Sequence, residues 1–133
     1  MQNITKKQAA NLNALVLAYV GDAAWSLYTR TRLAESYDFK AGELHRLASA
    51  EVNAGAQAAL SDRLQGILTA EEKEIFVRGR NGKSHHKAKN QSGADYRKAT
   101  GMEAVIGYLY LTGETERLEY LLSFGATDAP SLD

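Results

Sequence analysis

The sequence predicts an all-α fold, and three observations predict it. Its one proline, Pro130, stands three residues from the C-terminal end, so the body is free of that helix breaker. Abundant Ala, Leu, Glu and Lys favour helix throughout. Apolar residues recur at three- and four-residue steps, with no strand-type alternation, internal repeat or low-complexity tract. A chain of 133 residues, 44% apolar, fits one domain over 1–133. At that length a single core should bury roughly two-thirds of the unfolded surface.

The first long helix is expected from Asn13 to Ala34, on the spacing of Leu12, Leu15, Val16, Tyr19, Val20, Ala23 and Leu27. Gly21 interrupts it at a cost near ~1 kcal/mol relative to alanine. A mid-helix glycine beside an acid implies that something approaches closely. A polar link over 36–40 leads to a second helical stretch, Gly42 to Leu68. Leu44, Leu47, Ala48, Val52, Ala56, Ala59, Leu60 and Leu64 share one side, with a break expected near Asn53 or Gly55. Thr69 and Glu72 form a Thr-x-x-Glu capping box that opens a short helix through Arg80. Residues 81–93, NGKSHHKAKNQSG, are polar and aperiodic and read as a loop. A helix then starts at Ser92 or Gly93 and runs to Leu111, its Gly101 and Gly107 flanking Glu103. Thr112-Gly113 ends it. The last helix, Glu114 to Phe124, carries Leu118, Leu121 and Leu122, with Gly125 as C-cap and a frayed end beyond.

The chain has no cysteine, which removes disulfides and thiolate metal sites and fits a reducing compartment. No apolar run approaches the ~20 residues that span a bilayer, and the N-terminal residues lack the apolar stretch of a signal peptide. A soluble, cytoplasmic protein without a membrane partner is expected.

Two acids carry the chemistry. Asp22, in LAYVGDAAW, shares a helical stripe with Leu15, Ala18, Tyr19 and Trp25. Glu103, in GMEAVIGYLYL, shares one with Tyr96, Ala99, Ile106 and Tyr110. A carboxylate on an apolar stripe loses its water and needs a cation, a donor or a metal. Taken singly, each is more often a structural acid with an Arg or backbone partner. Two such acids on two apolar helices, each near glycine, point to a shared site for a hard divalent cation such as Mg²⁺.

The formal net charge is zero, from 16 bases and 16 acids, but the charge is unevenly placed. Residues 78–98 hold seven Lys or Arg and one acid, a balance of +6. The rest of the chain sums to −6, which makes a basic patch on an acidic body. The bland reading is a solvated loop. The functional reading is a phosphate-contacting element made of Arg78, Arg80, Lys83, His85, His86, Lys87, Lys89 and Arg97. His85 and His86 have no further ligands at helical spacing, which favours solvent or phosphate over a metal. Tyr96 is the one aromatic in the segment, which suits duplex backbone recognition better than base stacking. GRNGKS, residues 79–84, lacks the glycine spacing and the preceding strand of a nucleotide-binding loop.

These segments resemble a known family. VGDAAW, residues 20–25, is similar to the signature of the ribonuclease III catalytic domain, and ATGMEAVIGYLYL, residues 99–111, to its second acidic motif. FVRGRNGKS, residues 76–84, and YRKATGMEA resemble the shorter branch called Mini-ribonuclease III. The resemblance covers Leu12 to Gly125. It implies a helical, homodimeric ribonuclease III endonuclease fold, with Asp22 and Glu103 as catalytic, Mg²⁺-binding acids. It implies Mg²⁺-dependent cleavage of double-stranded RNA to 5′-phosphate and 3′-hydroxyl ends, maturing large-subunit (23S) ribosomal RNA precursor. A ribosomal protein that presents the RNA is a candidate partner. Larger family members carry two more acids, at the positions of Ala18 and Thr100, and a double-stranded-RNA-binding domain that these 133 residues do not supply. The basic segment would then carry much of the RNA affinity.

Three rivals stand beside this reading: a non-catalytic RNA-binding or ribosome-assembly protein on the same scaffold, an all-helical nucleotide pyrophosphohydrolase, and a structural helical bundle. The absent acids favour the first. The second expects acids three or four residues from Asp22 or Glu103, and there are none.

Overall fold

A capping box opens the fold in a segment where periodicity gave no signal. Thr5 Oγ1 accepts from the Gln8 backbone N–H at 3.0 Å, and the Thr5 N–H donates to Gln8 Oε1 at 2.9 Å. This pair satisfies two orphan donors of α1 (Lys6–Ala10). The computed structural model describes residues 2–36, 40–82 and 93–126. Asn13 Oδ1 accepts from the Leu15 N–H at 2.8 Å where α2 (Ala14–Ser36) begins. The break expected near Asn53 falls on that residue, between α3 (Ala41–Glu51) and α4 (Ala54–Leu64). Asn53 Oδ1 caps α4 by accepting from the Ala56 N–H, while its amide donates to the carbonyls of Ser49 and Ala50. Thr69 and Glu72 form the expected capping box at the head of α5 (Ala70–Arg80). α6 (Gly93–Leu111) and α7 (Thr115–Ser123) complete an all-α chain of seven helices among the described residues. Gly113, at φ 75°, makes the left-handed turn between the last two.

α6 is the central helix, packed by α2, α4 and α5 and touched by α1 and α7. From Ala99 to Leu109 every residue of α6 is buried except Glu103, which is half-buried. A helix that is apolar on all sides belongs in the interior. Met102 and Ile106 of α6 are fully enclosed, as are Leu17 of α2, Leu64 of α4, and Leu118 and Leu121 of α7. Each such side chain contributes about 1.5–3 kcal/mol.

The α2–α6 crossing is made by glycine. A Cβ on Gly21 would overlap the carbonyl oxygen of Glu103, and one on Gly107 would overlap the carbonyl oxygen of Leu17. No side chain larger than hydrogen lets these backbones meet. The α5–α6 crossing is built alike: a Cβ on Gly79 would lie 2.9 Å from the Ala104 Cβ and 3.0 Å from the Gly101 Cα.

Two arginines fasten the periphery. Arg117 of α7 grips Glu72 of α5 through two bonds, 2.8 and 2.9 Å, and also donates to the Ile67 carbonyl at 2.9 Å. Arg78 of α5 donates to the carbonyls of Ala10 and Leu12 at 2.8 and 2.7 Å, tying α5 to the α1–α2 link. No helix among the described residues is long and apolar enough to cross a membrane. The polar link and the loop expected at 36–40 and 81–93 lie largely outside the described residues, and so does most of the frayed end.

Candidate metal-binding active site

Asp22 follows Gly21, so the glycine crossing fixes where its carboxylate emerges. The buried arc of α2 runs through Leu17, Ala18, Gly21, Ala24 and Trp25. Asp22 lies one helical step, about 100°, past the centre of that arc. It is exposed rather than inward-facing, which corrects the expectation that it sits in the core stripe. Tyr19 and Val16, expected inside, are 81% and 47% exposed. The approach to Gly107, rather than apolarity alone, sets the rotation of α2.

Glu103 reaches the same place from the other side. It is the one break in the buried run of α6, and it stands opposite Gly21. Its carboxyl lies within interaction range of the Asp22 carboxyl and of the Gln57 side chain. The two acids, 81 positions apart in the sequence, therefore meet at the edge of the core. Burial pushes the Glu103 carboxyl up, and the hydrogen bond and negative charge of Asp22 push it further, to about 9, while the Gln57 amide acts the other way. Without a cation, that shift favours the protonated Glu103 carboxyl at neutral pH.

This arrangement fits a divalent cation. Two carboxyls at hydrogen-bond range repel when both are ionised, and a proton or a cation relieves that repulsion. A hard cation with one or two carboxylates and several waters is the usual mode for Mg²⁺. Among the described residues no third His, Asp or Glu joins the pair as a ligand cluster. Ala18 and Thr100, the positions of the larger enzymes' extra acids, are both buried. The Thr100 hydroxyl donates to the Tyr96 carbonyl at 2.9 Å.

Gln57 was not among the residues the sequence singled out. The expected apolar side of the second helical stretch included Ala56, Ala59, Leu60 and Leu64; Leu60 and Leu64 are buried, but the buried face of α4 also takes in Ala54, Gln57, Ala58 and Ser61, and Ala59 is exposed. The available signal was a glutamine three and four positions from those small residues, on the helix's inner repeat.

The basic segment divides. Lys83, His85, His86, Lys87 and Lys89 lie outside the described residues. Arg78, expected to face phosphate, is half-buried, and its guanidinium is committed to the two carbonyls of the α1–α2 link. Arg80 lies over the Phe76 ring at 5.8 Å and donates to Asn81 Oδ1 at 3.3 Å. Arg97 is exposed on α6, six residues before Glu103. A cavity of about 440 Å³, lined by Trp25, Tyr28, Arg32, Glu51, Leu60 and Leu122 among others, contains neither acid. Of the acid pair, Asp22 is exposed and Glu103 half-buried, so the pair opens to solvent through Asp22.

The chain is similar to known proteins over most of its length. The family model for the ribonuclease III domain matches residues 15–114. The chain is 44% identical over 122 residues to Mini-ribonuclease 3 of Clostridium tetani, covering 91% of this chain and 81% of that one. It is 47% identical over 115 residues to the Enterococcus faecalis Mini-ribonuclease 3, covering 85% and 87%. With the Staphylococcus aureus protein of that name it shares 44% over 125 residues, covering 92% and 93%. A crystal structure of a Fusobacterium nucleatum protein superposes with a TM-score of 0.76 at 28% identity, over 86% of this chain and 91% of that one. The chain belongs to the ribonuclease III family of endoribonucleases, and within it to the Mini-ribonuclease 3 group.

Proposed function

We propose that this protein is a Mg²⁺-dependent endonuclease that cuts double-stranded RNA at the Asp22–Glu103 centre, with large-subunit ribosomal RNA precursor as its substrate. The observation that carries the reading is the meeting of the two carboxyls, each brought by a different helix to one accessible point. Asp22 and Glu103 would hold the cation. When bound, it supplies Lewis-acid stabilisation of the scissile phosphate and a water of lowered pKa. Asp22, exposed, faces the substrate side, and Glu103, half-buried, anchors the centre to the core.

A homodimer is part of this reading. Val16, Tyr19 and Leu27 form an exposed apolar stripe along α2, with Ala23 between them. Such a stripe beside the acids suits a twofold contact between copies of the chain. The two centres would then address the two antiparallel strands of a duplex. Arg97, with Lys83, Lys87 and Lys89, would hold phosphates without reading bases.

Cleavage of a defined RNA duplex across a Mg²⁺ titration, with Asp22→Asn beside the wild type, tests the assignment. Asp22 is exposed, so the variant should fold with stability within about 0.5 kcal/mol of wild type. Losing several kcal/mol of metal stabilisation should cut the rate at least about a hundredfold, at roughly 1.4 kcal/mol per factor of ten. Undiminished turnover by Asp22→Asn rules the centre out. Preference for a precursor-rRNA helix over an arbitrary duplex of equal length tests the substrate.

A further inference from the structure

Gln57 is one of six buried polar or charged side chains among the described residues, at 4% exposure. Four of the others have partners inside the scaffold. Glu51 pairs with Arg32, Ser61 with Gln65, Glu72 with Arg117, and Thr100 with the Tyr96 carbonyl. Gln57 reaches instead to the acid pair. Its helix α4 lies against α6, and the buried residues beside it, Ala54 and Ala58, are small enough to keep the two helices close. No buried side-chain nitrogen or oxygen among the described residues lacks a hydrogen-bond partner. The group on which the Gln57 amide acts is the Glu103 carboxyl, on the helix against which α4 packs.

A primary amide suits that position. It donates to a carboxylate and adds no charge of its own. A third acid there would add repulsion to a pair already in contact, and a lysine or arginine would compete with the cation for the same oxygens. We infer that Gln57 is a positioning residue for the catalytic centre: its side-chain amide, reaching from α4, holds the Glu103 carboxylate in the orientation that meets Asp22 and leaves the remaining carboxylate oxygens to the cation. This rests on the reading of Asp22 and Glu103 as the cation site. Outer partners that orient a metal-binding group are worth about 10–100-fold in metal affinity.

The test uses Mn²⁺ as the probe. Its binding to RNA-free protein is followed by electron paramagnetic resonance for the wild type, Gln57→Met and Asp22→Asn. Gln57→Met preserves volume and removes the donor. It should weaken Mn²⁺ binding about tenfold and raise the Mg²⁺ midpoint for duplex cleavage by a similar factor, with the KM for duplex unchanged. A purely structural role would lower the melting temperature and leave Mn²⁺ affinity at the wild-type value, and that result overturns the proposal. Should Gln57→Met fail to fold, Gln57→Asn, one methylene short of Glu103, carries the same expected loss, and wild-type affinity in it overturns the proposal. Asp22→Asn separates the two levels. If it loses Mn²⁺ while the Gln57 variants keep it, the centre stands and the role of Gln57 falls. If it binds Mn²⁺ like the wild type, the centre itself falls.

Discussion

Gly21 of α2 and Glu103 of α6 are in backbone contact: the missing side chain of one is the space taken by the carbonyl of the other. That single contact places Asp22 beside the Glu103 carboxyl and fixes the rotation of α2, so the fold and the site share one cause. Gly107 seals the same crossing against Leu17.

Gly21→Ala is the sharpest probe of that crossing. In an open helix the change gains about 1 kcal/mol. Here the methyl group must push two backbones apart, and overpacking typically costs about 1–3 kcal/mol or more. We expect net destabilisation, a melting temperature lower by roughly 5–15 °C, and loss of metal-dependent cleavage. A variant more stable than wild type would show that the helices are not in contact.

The carboxyl of Glu103 predicts a pH effect on the metal-free protein. Raised to about 9 from an ordinary 4.5, it holds a proton in the folded state that the unfolded chain has already released. The folded state binds more protons across that window, so stability falls as pH rises from about 5 towards 9. A cation that takes the place of the proton binds more tightly as pH rises. Melting curves against pH, with chelator and with Mg²⁺, should show a fall in the first and a flatter profile in the second. An equal fall in Glu103→Gln would assign the effect elsewhere.

Glu72 predicts the opposite limb. Burial alone would raise its carboxyl, but the Arg117 guanidinium and the Thr69 backbone N–H outweigh burial and hold it below the ordinary value. Its contribution is present at neutral pH and is lost as pH falls through that depressed value. Arg117→Met leaves the buried Glu72 carboxylate without its cation and should cost about 3–5 kcal/mol. Urea unfolding at pH 7 measures it, and the loss should shrink on acidification.

The basic segment predicts a salt effect. Each phosphate contact adds about 0.7–0.9 to the slope of log affinity against log salt. Replacing Lys83, Lys87 and Lys89 with glutamine should flatten that slope for duplex binding by about 2–3. An unchanged slope would make them solvated lysines with no part in binding.

Much of this architecture was legible one residue at a time. The Thr69–Glu72 box, the break at Asn53 and the helix over 93–111 follow from local capping and periodicity, which depend on residues three or four apart. The glycines at 21 and 107 announced a close approach, and the two acids announced a shared centre, because those residue types are costly in a helix unless a neighbour explains them. Sequence could not say which neighbour. The exposure of Asp22, the nearness of Gln57 to Glu103 and the commitment of Arg78 to the α1–α2 link each depend on helix rotation and crossing. Those are settled when four or five helices compete for one core, across separations of 46 to 81 positions that no local spacing rule spans. The chain by itself determined which helices form and which two of them carry the acids. Only tertiary packing decided which way each group faces, since a rotation of about 100° separates a core position from an exposed one.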